Sequence, residues 1–265
     1  MRNVLRFLQL SFVQELKKTL AYPTTFWIIV FIIPLYSLIQ IVFLESIYSH
    51  TGSFVGYSKF EAYVLFGTYT IVQALGHFAF YNRLSELGNL IRGGSQESFD
   101  LTLIKPVDSQ VFATLGKFNF GNIAPFIIGV SLVLYGLNHQ PHLLGAFNIF
   151  SYLLLTAMGI MLFYLLFLFF STFLFWQPDL QMTEDLWESV QSFGQYPPNL
   201  YHGPVGVLFN LVIPITLMAG IPTNFLFAKT PAYMLLFYLG IGALLLILTR
   251  LFWKTAIKKY SSSSS

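Results

Sequence analysis

The sequence predicts an all-α polytopic membrane protein with six transmembrane helices, and three observations carry that prediction. Of its 265 residues, 55% are hydrophobic and only 9% are charged. A soluble domain carries about 25% charged residues, so this chain has too little polar surface to cover a globule in water. Long uncharged runs recur, among them residues 24–44 and the 34 residues 143–176; about 20 apolar residues suffice for a helix to cross the hydrocarbon of a bilayer. Lysine and arginine gather in polar segments that alternate with these runs.

Taken in order, residues 1–22 read as an interfacial helix. Leu5, Leu8, Phe12, Leu16 and Leu20 recur at helical spacing, with Arg2, Arg6, Gln14, Lys17 and Lys18 largely on other faces. The same residues lack the compact apolar core of a cleavable leader. The first span is expected at about 24–44, with Pro34 kinking or loosening it. The second is expected at about 60–80 and the third at about 118–137, which contains Asn119, Asn122 and Pro125. A tight turn with His139, Pro141 and His142 follows. The 34-residue run 143–176 would make roughly 50 Å of helix, so it reads as one long, tilted fourth span, about 146–172, that begins in the interface.

Residues 177–203 read as a polar, purely acidic loop holding Asp179, Glu184, Asp185 and Glu188, ended by Pro197 and Pro198. A short fifth span is expected at about 204–220. The apolar stretch after it is broken by Pro222 and Pro231, which predicts short re-entrant helices between spans five and six. The sixth span is expected at about 233–253, before the basic end Lys254, Lys258 and Lys259. Residues 1–257 are thus read as one transmembrane domain and 258–265, with five terminal serines, as a flexible tail.

Orientation follows from charge. The side that holds both termini and residues 82–117 carries twelve Lys and Arg: four in residues 1–22, four in 82–117 and four from Arg250 onward. The other side carries Lys59 and Lys229. Basic residues mark the cytoplasmic face, so both termini and residues 82–117 are expected in the cytoplasm.

The chemistry is sparse. The absence of cysteine excludes a thiol nucleophile, a disulfide framework and an iron–sulfur site. No HExxH, GxSxG or phosphate-binding GxxxxGK[ST] pattern occurs, and no metal is expected. His139 and His142 flank one turn without a third ligand nearby, so solvated turn residues are the better reading. His77 is the only ionisable group well inside a span. Ion-coupled carriers place titrating groups at mid-membrane, so any transport here takes its energy from outside the chain. An intramembrane enzyme lacks its nucleophile. Two readings remain: a transport subunit driven by a separate ATPase, or a membrane anchor or scaffold that docks partners without transport of its own. The polar residues Tyr69, Gln73, His77, Asn210 and Thr216 are candidates for the wall of a translocation path, although such residues also serve as helix–helix hydrogen bonds.

The segment IRGGSQESFDLTLIKPVDS resembles the region between spans two and three of bacterial ABC-type exporter permeases of the type 2 class. Arg92, Gly93, Gly94, Asp100, Leu103, Lys105 and Pro106 carry the match. A second resemblance lies in the aromatic-proline motif Phe193, Tyr196, Pro197 and Tyr201, with Pro214 and Pro222 beyond it. The acidic character of 177–203 departs from that pattern, which would have more basic residues there. The resemblance implies a permease subunit that pairs with a copy of itself or a sister permease and binds two copies of a cytoplasmic ATPase. Residues 82–117 would carry a coupling helix docking in a cleft of that ATPase, and ATP and Mg would sit on the partner, with no cofactor on this chain. The path would lie at the permease dimer interface, spans two and five would rock, and the cargo would be hydrophobic or amphipathic: a drug, cationic aromatic, peptide or lipid. Lipid contacts are implied and nucleic acid is not.

Overall fold

The computed structural model describes residues 2–93, 99–106, 108–140, 145–177 and 182–260. Among them the chain is helical, apart from a tight turn in which Phe54 and Tyr57 exchange backbone hydrogen bonds of 3.0 Å. Helix α1, Arg2–Ala21, is followed by α2, Pro23–His50, and by α3, Lys59–Gly76. A π-helical turn, His77–Tyr81, joins α3 to the short α4, Asn82–Ser85. Three further short helices follow: α5, Leu87–Arg92; α6, Phe99–Ile104; and α7, Ser109–Thr114. Then come the long α8, Ile123–Asn138, and α9, Ala146–Thr172.

Four helices among the described residues are long and apolar enough to cross a membrane: Val30–His50, Phe120–Asn138, Ala146–Phe175 and Met234–Ile257. Six regular spans are therefore seen only in part. Helix α3 occupies the place expected for the second span but carries Glu61, Thr68, Thr70 and Gln73. It tolerates them because most of its residues are buried among other helices.

The tightest pairing is between α3 and α8, which run antiparallel. Gly67 faces Gly129 so closely that a Cβ on Gly67 would stand 2.7 Å from the Gly129 carbonyl oxygen. One turn-pair further on, a Cβ on Gly136 would stand 2.6 Å from the Phe60 carbonyl oxygen. Lipid tails give helices no hydrophobic reason to associate, so small residues that admit backbone contact decide where they pack. Helix α9 lies along another face of α3, with the Thr68 and Tyr152 hydroxyls 2.8 Å apart and the Phe163 ring lying against Gly76. The last helix, α13, Met234–Ile257, runs beside α9 in the same direction, setting Gly242 on Met158 and Phe252 against Phe169 and Phe173.

The region after α9 departs from the expected loop and short span. Helix α10, Met182–Ser192, places Thr183, Trp187 and Gln191 inward, one residue per turn, and its carboxylates on the other faces. Trp187 is fully buried, stacked on Phe167 at 5.3 Å and edge-on to Phe163 at 4.9 Å. Truncating a buried tryptophan costs about 3–5 kcal/mol, so Trp187 alone outweighs the polar average of the segment. Residues 204–220 form no regular span. Helix α11, Gly203–Val207, passes into a π-helical turn, Leu208–Val212, and the chain doubles back at Pro214. A 3₁₀ turn, Ile215–Met218, and α12, Gly220–Leu226, then fill the bundle interior. Proline without an N–H cannot continue the helical ladder, and Pro214 sits where this path is broken, while Pro222 is held in the first turn of α12, where its missing N–H costs nothing. From α10 to α12 the chain runs from Tyr81, at one end of α3, to Tyr57, beyond its other end.

Helix α2 is peripheral. Apart from Ser37, most of its described side chains are partly or fully exposed, among them Phe31, Ile32, Leu35 and Ile39. Helix α1 covers the end of the bundle near α7, with Phe7 on Phe112 at 4.9 Å and Phe12 on Phe118 and Phe120, while Leu5, Leu10 and Leu20 remain exposed.

Candidate functional site

Residues 82–117 fold as a string of short helices tied to the bundle from below. Glycine in the left-handed region ends α5: Gly93 has φ 69° and donates its N–H to Leu90 O at 3.3 Å. Gly94 lies outside the described residues. In α6, Phe99 and Thr102 face inward. Phe99 is fully buried in an aromatic nest with Phe175 at 5.0 Å, Tyr260 at 4.9 Å and Trp253 at 6.2 Å. That anchoring leaves Leu101, Leu103, Ile104, Lys105 and Pro106 exposed, Ile104 at 77%. Residues 101, 104 and 105 share one helical face, so the outward face of α6 is apolar with a cation at its end. The Lys105 ammonium lies 4.0 Å from the centre of the Phe112 ring. Asp100 sits beside Tyr260, whose hydroxyl pKa is pushed up by burial and by that carboxylate.

Arg92 donates to Asn89 Oδ1 at 2.7 Å and lines a polar cleft of about 320 Å³ with Ser85, Thr183, Glu184 and Asp185. Burial pushes the Glu184 carboxyl up, and the neighbouring Glu188 and Asp185 add to the rise. The three carboxylates of α10 make no ion pair among the described residues.

Asp108 has a double task. Its carboxylate accepts the N–H groups of Gln110 at 3.0 Å and Val111 at 3.3 Å, capping α7. It also accepts both guanidinium nitrogens of Arg250 on α13. Arg250 donates to Gln110 Oε1 at 2.6 Å, and Gln110 donates in turn to the Tyr164 hydroxyl of α9 at 2.9 Å. The Arg250 hydrogen bonds, with the two backbone N–H groups, hold the Asp108 carboxyl below the usual range. Lys117 pairs with Glu86. The segment is thus linked by charge and hydrogen bonds to two long helices.

The five candidate path residues divide. Tyr69, Gln73 and His77 lie on one side of a cleft of about 410 Å³ between α2, α3, α8 and α10. The Tyr69 hydroxyl donates to Gln191 O at 3.2 Å; His77 Nδ1 is 2.9 Å from Gln73 O, and its ring stacks on Tyr81 at 4.6 Å. Asn210 lines a separate opening with Tyr201, His202, Asn224, Lys229 and Tyr238. Thr216 lines neither opening: it is fully buried and donates to Asn210 Oδ1 at 2.8 Å. Sequence reasoning did not single out Glu188, Gln191 and Ser192 on the first cleft. Their signal was the helical recurrence of Thr183, Trp187 and Gln191 inside an acidic stretch.

At the far end, Lys229 pairs with Glu61 at 2.8 Å and donates to Gly56 O at 2.7 Å, with its ammonium 4.4 Å from the Tyr57 ring centre. The Tyr57 hydroxyl donates to Asn224 Oδ1, and burial, then Glu61, raise its pKa. His139 stacks on Phe60 at 4.4 Å, while His142 lies outside the described residues. Among the described residues no three His, Asp or Glu side chains gather as metal ligands would.

A short-helix segment is thus tied to one end of a bundle of membrane-length helices, with a cleft beside it. A family model described as ABC-2 family transporter protein matches residues 34–264. The chain belongs to the ABC-2 transporter family. The match covers every helix from α2 onward except the first turns of α2. No curated protein and no solved structure matches the chain. An ABC-2 chain is a membrane-embedded permease of an ABC transporter, and membership implies an ABC ATPase as partner.

Proposed function

We propose that this ABC-2 chain is the membrane subunit of an ATP-driven exporter in the bacterial inner membrane, with both termini in the cytoplasm. It pairs with a second permease, a copy or a sister, and forms the path at their interface. Hydrolysis takes place on a separate cytoplasmic ATPase dimer that holds ATP and Mg. The cargo is hydrophobic or amphipathic. Residues 82–117 are the coupling segment, and the broken path from α10 to α12 serves as the fifth crossing.

One observation carries this reading: α6 is fixed from inside by Phe99 and Thr102, yet turns Leu101, Ile104 and Lys105 outward. A loop with no partner has no reason to expose Leu101, Leu103 and Ile104 together beside a proline stop. Force applied to that face has a route inward, through Phe99 to Trp253 on α13 and through Asp108 to Arg250. Gly93 and Pro106 bound the helices on either side, Arg92 lies in the last turn of α5, and Asp100 and Leu103 flank the docking face; Gly94 is assigned to the same segment by its sequence alone.

The test is assembly with the cognate ATPase. Ile104→Asp with Lys105→Ala is expected to lower ATPase co-purification at least tenfold and to abolish cargo-stimulated hydrolysis. Asp100→Asn probes the edge of the same face. Unchanged binding and unchanged stimulation in both variants would overturn the coupling assignment.

A further inference from the structure

The cleft between α2, α3, α8 and α10 has features that packing alone does not require. It measures about 410 Å³, within the range of sites that hold drug-sized molecules. Aromatic rings from three residues, Tyr36, Phe66 and Tyr69, face it. No lysine or arginine lines it among the described residues, and Glu188 supplies its carboxylate. Glu188 accepts from the Tyr81 hydroxyl at 2.9 Å; that hydroxyl also lies 3.4 Å from Glu184, so one proton serves two carboxylates. A lone Tyr–OH does not neutralise Glu188, and no cation of this chain does so among the described residues.

A second, independent observation lies deeper in. Gln191 is 8% exposed and its side-chain oxygen makes no hydrogen bond. The buried Gln73 side-chain amide has no well-formed hydrogen-bond partner and only the Tyr69 hydroxyl beside it. Buried polar groups are nearly always paired, so the Gln191 oxygen on α10 and the Gln73 amide on α3 leave hydrogen-bonding capacity on the cleft for another molecule to fill. Their chemistry is neutral and polar; the charge at the mouth is negative; the remaining wall is aromatic.

We infer that this cleft binds an organic monocation with an aromatic or apolar body, its charge at Glu188 and its body among Tyr36, Phe66 and Tyr69. The inference deepens the permease reading and rests on it for the cleft's role as an entry to the path. Aromatic faces attract cations through their quadrupole, and a carboxylate at the mouth of a cleft with largely apolar walls selects cation over anion. The exposed Asp185 and the half-buried Glu184 one turn below favour the same sign on approach.

The experiment uses two ions of nearly one shape and opposite charge. The saturable binding of tetraphenylphosphonium and of tetraphenylborate to the full chain in lipid nanodiscs is measured with and without its ATPase. The phosphonium is expected to bind saturably and the borate not. Glu188→Gln, isosteric and at an exposed position, is expected to weaken phosphonium binding at least tenfold with unchanged thermal unfolding. Asp185→Asn removes an equal charge from the same helix but does not line the cleft, and should leave affinity within twofold. Borate competing as well as phosphonium, Glu188→Gln within twofold of the parent, or equal losses in both variants would overturn the inference. Cation binding without ATP-driven transport would sink the permease reading and leave the site standing; ATPase coupling without cation binding would do the reverse.

Discussion

Asp108 performs two tasks that substitution can separate. Asparagine keeps the cap on α7 but loses the charge pair with Arg250; alanine loses both. Each partner is more than a third exposed, with side-chain exposures of 38% for Asp108 and 35% for Arg250, so solvent screening limits the pair to about 1 kcal/mol or less. Loss of the cap adds about 1 kcal/mol. Asp108→Ala should therefore destabilise roughly twice as much as Asp108→Asn in thermal unfolding. Acid dependence follows from the lowered carboxyl. A carboxylate whose folded pKa is depressed contributes stability above its unfolded value of about 3.9, and loses it as pH falls through the folded value. The gap between parent and Asp108→Asn should be constant from pH 8 to 5 and close below about pH 4. A gap that closed between pH 7 and 5 would mean that another group, not Asp108, carries the effect. Glu184 has the opposite sign: burial raises its carboxyl, so its charge costs stability above the folded pKa and that cost vanishes as pH falls.

At the scale of elements, the contact between α3 and α8 is decided by backbone proximity. Gly129→Ala places a methyl 2.9 Å from the Gly67 carbonyl oxygen and 2.9 Å from the Ile71 side chain. Two backbones cannot both yield without separating along their length, and overpacking of this kind costs about 1–3 kcal/mol. Gly240 on α13 meets nothing within 4 Å, so Gly240→Ala should be neutral or slightly stabilising, since alanine is the better helix former. Equal unfolding midpoints for the two variants would show that α3 and α8 do not meet at this register. The elements also explain what the sequence could disclose. The long apolar runs around α2, α8, α9 and α13 are legible because lipid demands uninterrupted hydrophobicity. Helix α10 was not, because the mean character of 177–203 is acidic and only a one-in-four stripe, Thr183, Trp187 and Gln191, turns inward. The break at Pro214 was hidden for a related reason: residues 204–220 are apolar whether they face lipid or fill a core, so composition cannot tell a straight span from a folded-back one. For the candidate site, Tyr69, Gln73 and His77 were legible as polar residues about one helical turn apart along α3 and the π-helical turn that continues it. Glu188 was not, because nothing local says that α10 lies across from them.

For the whole molecule, the two ends of the bundle differ in charge and in how the charge is held. One end carries Lys59 paired with Glu45 at 2.7 Å and Lys229 paired with Glu61. The other carries Lys117 with Glu86, Arg250 with Asp108, and the remaining basic residues of α1 and the C-terminal end. An orientation with the basic end in the cytoplasm puts the outward face of α6 where an ATPase can reach it; the reverse orientation puts it outside the cell and removes the coupling reading altogether. The chain offers a clean test, because it contains no cysteine. Ser53 and Lys258 are both exposed, at opposite ends of the bundle, so each can carry a single thiol without disturbing the core. Ser53→Cys in intact spheroplasts should react with a membrane-impermeant maleimide. Lys258→Cys should react only after permeabilisation. The inverse pattern would place Leu101, Ile104 and Lys105 on the side without ATP, and labelling of both thiols from outside would mean an odd number of crossings, which the path from α10 to α12 would then have failed to supply.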